Sequence, residues 1–286
     1  MQQQSLAFRI MIWLGVAVLL VWSLGPIYWT LASAITPTVD FSSRPIHFVP
    51  IHFTLDHFER LLGINVDRIG GVEVWAQFRA ALFNSIVAAL ASTIVCVAIA
   101  ALGGYAFTRL SFPGRRVIFI AVVATLAIPG YAVLIPLYRL MTSLHMVDTF
   151  LGVTLIYVSA FLPLSLWLLK SVFESLPISI EEAAQLDGAS RLYILFRIVL
   201  PLAAPGLTAA AILTFLGAWG QYAVPLIFSP TQTKPLTVLI PEFATKNFID
   251  YGLITAAGSI AIIIPALVVI FLNRYLISGL LAGSAK

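Results

Sequence analysis

Six long runs of apolar residues dominate this chain of 286 residues, and none of the six contains an aspartate or a glutamate. Each run has the roughly 20 residues that a helix needs to cross the hydrocarbon core of a bilayer. Lipid offers no hydrogen-bond partner to an open strand, so we expect helices and predict no β-strand. The sequence therefore predicts an all-α membrane protein with six transmembrane helices. The predicted spans are residues 10–34, 80–107, 117–141, 151–169, 206–228 and 253–277.

The composition supports a single membrane domain over residues 1–286. Hydrophobic residues make up 60% of the chain and charged residues only 10%, whereas about a quarter of the residues in a soluble domain are charged. No loop carries a basic run with interleaved aromatic residues, which argues against nucleic-acid binding. The only cysteine, Cys96, lies inside an apolar run, where we expect a buried thiol and no internal disulfide.

The arginines predict the orientation. Arg109, Arg115 and Arg116 crowd the short loop after the second span, and the positive-inside rule places such a loop in the cytoplasm. With six spans, both termini are then cytoplasmic. The first run is longer than the roughly 7–15 residues of a signal-peptide core, which favours an uncleaved first span.

The longest predicted loop, residues 36–79, lies outside the membrane by the same reasoning. Within it, residues 55–63 have the pattern of a short amphipathic surface helix. His47, His52 and His57 recur every five residues, which is not the i, i+4 spacing of a helical zinc pair. We interpret them as side chains of a solvated loop and predict no metal site.

The third and fourth predicted spans contain prolines. Pro129 and Pro136 interrupt the third span, and Pro163 lies inside the fourth. Each proline removes one backbone hydrogen bond and bends a helix that contains it. Bent helices are common around the transport path of carriers, although proline is also frequent in membrane helices generally.

A polar stretch, residues 177–205, separates the fourth and fifth spans. Ser179 and Glu182 have the spacing of a capping box, which predicts a helix start. Gly188 favours the left-handed conformation that ends a helix. Ser190 predicts the cap of a second helix, which we expect to break at Pro201. The predicted unit is therefore a helix, a glycine corner and a second helix.

This stretch resembles the EAA loop of the ABC importer permeases. The resemblance rests on Glu182-Ala183-Ala184, on Asp187-Gly188-Ala189 and on Leu200-Pro201. It continues from about Ala124 to the C-terminus and is similar to the carbohydrate branch, particularly the shorter membrane subunit of maltose-type sugar importers. One departure is Trp219-Gly220-Gln221, where relatives commonly have Trp-Asn-Glu.

The resemblance implies a type I ABC importer permease fold and a defined set of partners. In that family a second homologous permease, two ATPase subunits and an extracytoplasmic sugar-binding protein complete the transporter. It also implies a cytoplasmic coupling loop at residues 170–205 and a cytoplasmic tail at residues 278–286. Residues 274–286 resemble the family's C-terminal segment, which is a second contact with the ATPase pair. The residues implied to couple to the ATPase are Glu182, Ala183, Ala184, Asp187 and Gly188.

The residues also indicate where the energy for transport comes from. The predicted spans lack the buried carboxylates of ion-coupled carriers. No lysine follows a glycine, so the chain has no P-loop. We therefore expect a transport subunit with no enzymatic activity or cofactor of its own and with ATP hydrolysis on a separate polypeptide. The resemblance implies that its membrane is the plasma membrane of a bacterium or archaeon.

The resemblance implies a sugar as the substrate, and four polar or aromatic residues within or near spans are candidates for its path. The alternative for each is helix–helix hydrogen bonding or interfacial anchoring. A permease for glycerol phosphate or a polyamine is the second hypothesis, with Arg139 and Lys170 as the cations available to a phosphate, and an ion-coupled carrier is the third. The path candidates are Asn84, Tyr131, Gln221 and Tyr222.

Overall fold

The computed structural model describes residues 6–42, 47–65, 68–69, 72–244 and 249–284. Helices account for most of these residues, as the sequence predicts. In chain order they are α1 (Leu6–Ala34), α2 (Asp56–Leu62), α3 (Val74–Arg109), α4 (Arg115–Ala124), α5 (Leu134–Ser143), α6 (Phe150–Ser175), α7 (Ile178–Leu186), α8 (Arg191–Ile194), α9 (Leu200–Leu202), α10 (Ala204–Trp219), α11 (Ala223–Phe228), α12 (Leu236–Glu242) and α13 (Tyr251–Ser284).

Four helices within the described ranges are long and apolar enough to cross a membrane: α1, α3, α6 and α13. Two further pairs, each bent at a short break, bring the number to six if each pair counts as one span. The first pair is bent by 97° and the second by 76°. The apolar runs thus form helices, but two of the six are not straight rods.

The third predicted span breaks at only one of its two prolines. Residues Arg115–Ala127 and Gly130–Ser143 form the two arms, and the break falls at Ile128 and Pro129. Pro136 lies in the first turn of α5, where a missing N–H removes no intrahelical hydrogen bond. Pro163 sits inside α6 and does not interrupt that helix.

The fifth predicted span, residues 206–228, is divided. Helix α10 begins at Ala204, two residues earlier than expected, and ends at Trp219. A separate short helix, α11, begins at Ala223. The helix that contains the sixth predicted span, α13, is longer than predicted. It continues to Ser284 and includes most of the residues assigned to a cytoplasmic tail.

Two compact units account for the described residues. The first comprises the residues up to Ala80 together with Leu239–Ile264. It contains a short antiparallel ladder, β1 (Arg68–Ile69) and β2 (Val72–Glu73), which corrects the expectation of no strand. The ladder lies in the polar connection before α3, outside the apolar runs to which the argument from lipid applies.

Helix α2 forms within this first unit, as the amphipathic pattern predicts. It ends at Gly63, whose φ is +77°. The interpretation of His57 as a solvated loop residue was wrong, because its side chain is buried and only 2% exposed. Its Nε2 lies 3.0 Å from the carbonyl oxygen of Thr36, and a Cβ added at Gly252 would meet its ring at 2.1 Å. His47 and His52 are exposed, as expected.

The second unit comprises residues 81–238 and the described residues from Pro265. Its main cluster of buried side chains joins α3, α6 and α10 with the segment that follows α8. Cys96 is a free, buried thiol within it, as predicted. Its Sγ lies 3.6 Å from the Ser165 hydroxyl, which is 3.0 Å from the Thr214 hydroxyl. These three side chains connect α3, α6 and α10 through polar contacts inside an apolar core.

Helix α10 packs so closely on α6 that Gly206 has no space for a side chain. A Cβ there would meet the Val172 side chain at 2.5 Å, and a β-branched side chain on a helix cannot rotate freely out of the way.

We expect Gly206→Ala to lower the free energy of unfolding by about 1–2 kcal/mol. Gly15→Ala is the matched control, because a Cβ at Gly15 meets nothing within 4 Å. Thermal unfolding in detergent measures both variants, and an unfolding midpoint for Gly206→Ala at or above that of Gly15→Ala would contradict the expectation.

Candidate functional site

Helix α7 carries the EAA residues and begins directly after Pro177. Pro177 occupies the cap position with extended backbone, and no side chain caps the helix there. The predicted capping box is therefore wrong, because Ser179 lies one residue inside the first turn and not at the cap. Glu181 remains close to the N-terminal end, where the helix dipole favours a carboxylate.

The C-terminal end of α7 is a Schellman motif, which confirms the predicted glycine corner. The Gly188 N–H donates to the Gln185 carbonyl at 3.0 Å, and the Ala189 N–H donates to the Ala184 carbonyl at 3.0 Å. Gly188 has φ +84°, in the left-handed region that a residue with a Cβ occupies at a cost of about 1–2 kcal/mol. The two hydrogen bonds satisfy carbonyls that the end of the helix would otherwise leave unpaired.

The second helix begins at the predicted cap and ends later than predicted. The Ser190 hydroxyl accepts the Tyr193 N–H at 3.3 Å. One π-helical turn, Leu195–Val199, follows α8 and leads into α9. The expected break at Pro201 was wrong, because Pro201 lies within α9 and the bend falls at Ala203. In a π-helical turn the backbone hydrogen bonds span five residues in place of four. Pro201 has no N–H and takes no part in this pairing.

The corner exposes the residues implied to couple to an ATPase. Glu182, Ala183, Asp187 and Gly188 are exposed, and Ala184 is half-buried against the core. Leu186, beside them, is 90% exposed. A cleft of 650 Å³ opens at the corner. Its lining residues are Ala184, Asp187, Gly188, Ala189, Ser190, Tyr193 and Ile198.

Glu181 is the residue of this site that the sequence analysis did not single out. It is 4% exposed, although its neighbour Glu182 is exposed. Its carboxylate pairs with Arg109 at 2.6 Å and accepts the Tyr105 hydroxyl at 3.0 Å. Both partners lie more than seventy residues earlier in the chain, so no local pattern pointed to the contact.

Three of the four path candidates lie close together in the chain's fold. Tyr131 and Gln221 line a cleft of 480 Å³ that is mostly apolar, and the exposed Tyr222 directly follows Gln221. The Tyr131 side chain is exposed as well. Thr125 and Ser159 also line the cleft and were not predicted. These hydroxyl and amide groups are of the kind that hydrogen-bond a sugar, and the tyrosine ring offers a stacking face.

Asn84 lies elsewhere and has a different environment. It is 6% exposed, and its amide nitrogen donates to the carbonyls of Gln232 and Lys234, each at 3.0 Å. The structure does not bring it together with the other three candidates. These two hydrogen bonds hold the chain segment before α12.

Comparison with known proteins identifies the family. The model of the family described as "binding-protein-dependent transport system inner membrane component" matches residues 98–281, more than half of the chain. The chain belongs to this family. It is a permease, a membrane-embedded transport component of the ABC importers, and its apolar helices agree with a multi-pass protein.

Two relatives and one solved structure illustrate the similarity. A probable ABC transporter permease of Pyrococcus horikoshii is 33% identical, over 94% of this chain and 96% of the relative. The trehalose/maltose transport system permease protein MalG of Thermococcus litoralis is 31% identical, over 97% of each chain. The crystal structure of a bacterial ABC transporter that imports the acidic polysaccharide alginate has TM-score 0.80 at 21% identity, covering 96% of this chain and 100% of that one. The permease therefore has the fold of ABC importer membrane subunits.

Asp148 organises the loop between α11 and α12 of the permease. One carboxylate oxygen accepts the Thr231 hydroxyl and the Gln232 N–H, the latter at 2.8 Å. The other accepts the N–H and the hydroxyl of Thr233, both at 3.0 Å. Asp148 has φ +59°, and its N–H donates to the Phe228 carbonyl at 2.7 Å. Together with Asn84, this side chain fixes the loop at several points.

These contacts make the loop sensitive to acid. Burial raises the pKa of the Asp148 carboxyl, but its four hydrogen bonds outweigh that effect and hold the pKa below its ordinary value. A carboxyl whose folded pKa is lowered contributes stability above its unfolded pKa, and the contribution disappears as pH falls through the folded pKa.

We expect Asp148→Asn to lower the thermal unfolding midpoint by about 4 °C at neutral pH, because an amide cannot accept all four hydrogen bonds. At an acidic pH below the ordinary aspartate pKa of about 3.9, the difference from the unchanged protein shrinks, because the stability contributed by a carboxyl with a lowered pKa is lost as the pH falls. Asp56→Asn is a control on an exposed carboxylate. A difference that stays constant between the two pH values would refute the role assigned to the charge.

Proposed function

We propose that the permease is one membrane subunit of an ATP-driven sugar importer, and that α7 is the helix through which a separate ATPase subunit moves it. The observation that carries the proposal is the exposed corner of α7, where Glu182 and Ala183 stand beside the apolar side chain of Leu186. A short helix with an exposed apolar side chain and a polar face is suited to insertion into a groove of a partner protein. The coupling residues are Glu182, Ala183, Ala184, Asp187 and Gly188.

Separate subunits supply what this chain lacks. A P-loop requires lysine after glycine, and none of the lysines in the sequence meets that requirement. The proposed transporter contains a second homologous permease, two ATPase subunits and an extracytoplasmic sugar-binding protein. Both termini lie in the cytoplasm, in agreement with the exposed Arg115 and Arg116 after α3. The membrane is the plasma membrane of a bacterium or archaeon.

A sugar is the substrate class supported best. The Thermococcus litoralis relative is named for trehalose and maltose transport. The ABC transporter whose crystal structure matches with TM-score 0.80 imports the polysaccharide alginate. The cleft with Tyr131, Gln221 and Ser159 offers hydroxyl, amide and aromatic groups to a sugar. Of the two cations considered for a phosphate-bearing substrate, Lys170 is already paired with Glu174 at 2.5 Å. Its Nζ also lies 4.9 Å from the centre of the Phe119 ring.

The proposed mechanism is alternating access, in which α7 transmits the movement of the ATPase subunits to the permease. ATP binding draws the two ATPase subunits together, and α7 follows as a rigid element of the permease. The permease pair then changes from inward-open to outward-open. The binding protein releases its sugar because it has different affinities for the two states.

The first test is a reversal of charge at the corner. Glu182→Lys places a cation at an exposed position of α7, and we expect the ATPase to dissociate and uptake to be lost. Gly188→Asp should have the same effect, because it strains the left-handed corner by about 1–2 kcal/mol. Co-purification from gently solubilised membranes and uptake by whole cells measure both.

Glu174→Lys is the control for the first variant, since it makes the same charge change at an exposed site at the end of α6. It also breaks the ion pair with Lys170, so it disturbs its own surroundings more than a change at an unpaired site would, and we still expect uptake and ATPase binding to be retained. Both coupling variants should reach the membrane in normal amounts. Normal uptake and normal ATPase co-purification in Glu182→Lys and Gly188→Asp would exclude α7 as the coupling helix.

A further inference from the structure

The inner side of α7 is attached to α3 by a buried ion pair. The Arg109 Nε lies 2.6 Å from one Glu181 oxygen, and the Tyr105 hydroxyl donates to the other at 3.0 Å. Only 11% of the Arg109 side chain and 5% of the Glu181 side chain are exposed. Both oxygens of the carboxylate are therefore occupied by side chains at the C-terminal end of α3.

The same guanidinium also holds the end of α6. Its Nη2 donates to the carbonyl of Phe173 at 3.0 Å and to that of Leu176 at 2.9 Å. Phe173 lies in the last turn of α6, and Leu176 is its C-cap residue. The Phe173 carbonyl also accepts the Leu176 N–H at 3.3 Å, and carbonyls at the end of a helix favour a cation because of the helix dipole. Arg109 thus joins three elements, because one side chain contacts α7, α6 and its own helix α3.

Close packing reinforces this junction. A Cβ added at Gly104 would meet the backbone nitrogen of Lys170 at 3.1 Å, so the backbones of α3 and α6 nearly touch. The Tyr105 ring lies edge-on to the Phe173 ring, with centroids 6.3 Å apart and planes at 87°. The ends of α3 and α6 therefore have little freedom to slide past each other, and α7 is attached to the pair through Glu181.

We propose that Arg109 and Glu181 are positioning residues of ATP-driven transport, which hold α7 to α3 and α6 so that the three elements move as one body. The inference rests on the proposed function of α7 as the coupling helix. Glu182 faces outward and is available to the ATPase, while its neighbour Glu181 passes the movement inward. Buried ion pairs add little net stability on average but fix a geometry, which is what force transmission requires.

Distance measurements between α3 and α7 test the rigid connection. Spin labels at Leu102 on α3 and Gln185 on α7, both exposed, report the separation of the two helices in the assembled transporter. Cys96→Ser removes the only native cysteine and retains a polar side chain beside Ser165. We expect one narrow distance distribution that is unchanged by ATP, with the ATPase still bound.

Glu181→Gln removes the charge with almost no change in shape. We expect the distribution to broaden and to shift when ATP is added, while the ATPase stays bound and continues to hydrolyse ATP. Substrate transported per ATP falls about fivefold or more, the size of an ordinary coupling free energy, with radiolabelled trehalose as the probe. A Glu181→Gln protein with the narrow, ATP-independent distribution of the unchanged protein would overturn the inference.

Asp250→Asn is the matched control. Asp250 is likewise a buried carboxylate paired with an arginine, Arg60, at 2.5 Å, and it lies outside the α3–α6–α7 junction. This variant should lose stability and keep the narrow distribution between α3 and α7. If it broadens that distribution as much as Glu181→Gln does, the Arg109 pair has only a structural role and the inference fails.

Two further variants keep the test decisive if Glu181→Gln does not fold. Tyr105→Phe removes one hydrogen bond and leaves the ion pair, and should broaden the distribution partially. Arg109→Lys keeps the charge but cannot bridge the carboxylate and two carbonyls with one planar group, so it should behave like Glu181→Gln. An Arg109→Lys protein with the same narrow distance distribution as the unchanged protein would refute the bridging role of Arg109.

The outcome also separates the two proposals. If the unchanged protein does not co-purify with an ATPase, the proposed function itself fails. If it binds the ATPase but the α3–α7 distance is not fixed, only the positioning role is wrong.

Discussion

An apolar helix in lipid must satisfy every backbone polar group within the protein, and this constraint shapes the permease most strongly where helices end. Several helix ends near the candidate site have a specific partner, although no side chain caps the start of α7. The Thr149 hydroxyl accepts the Gly152 N–H at the start of α6, and Arg109 donates to two carbonyls at its finish. The Schellman motif closes α7, and Ser190 caps α8. At these ends, backbone groups are paired with a side chain or with the backbone that follows the helix.

Adjacent glutamates on α7 serve opposite sides of the helix. Successive residues on an α-helix are rotated by about 100°, since each turn takes 3.6 residues. Glu181 consequently faces the core and its ion pair, while Glu182 is exposed at the corner. An exposed side chain and an internal attachment can therefore occupy consecutive positions, which is the arrangement that the proposed coupling through α7 requires.

The sequence predicted those parts of the fold that local chemistry determines. The apolar runs are helices, Gly188 adopts positive φ, and Ser190 caps α8. Predictions that depended on competition between local signals were less successful. The hydroxyl of Ser179 had the right spacing for a cap, but Pro177 already supplies extended backbone and a missing N–H at the start of α7. Pro201 does not end a helix, because the turn before it is π-helical and Pro201 lies within α9.

Contacts between residues far apart in the chain could not be found in this way, and Arg109 shows why. The positive-inside rule treats Arg109, Arg115 and Arg116 alike, as charges that set orientation. Arg115 and Arg116 are exposed and suited to that role, whereas Arg109 is turned inward to a carboxylate 72 residues away. A charged side chain at the edge of an apolar segment has little free-energy cost while it is exposed to water, but its burial is strongly unfavourable unless it is paired. The burial of Arg109 is therefore stabilised by Glu181 on α7 and by the two carbonyls at the end of α6, and the buried Glu181 in turn has its charge partner in Arg109.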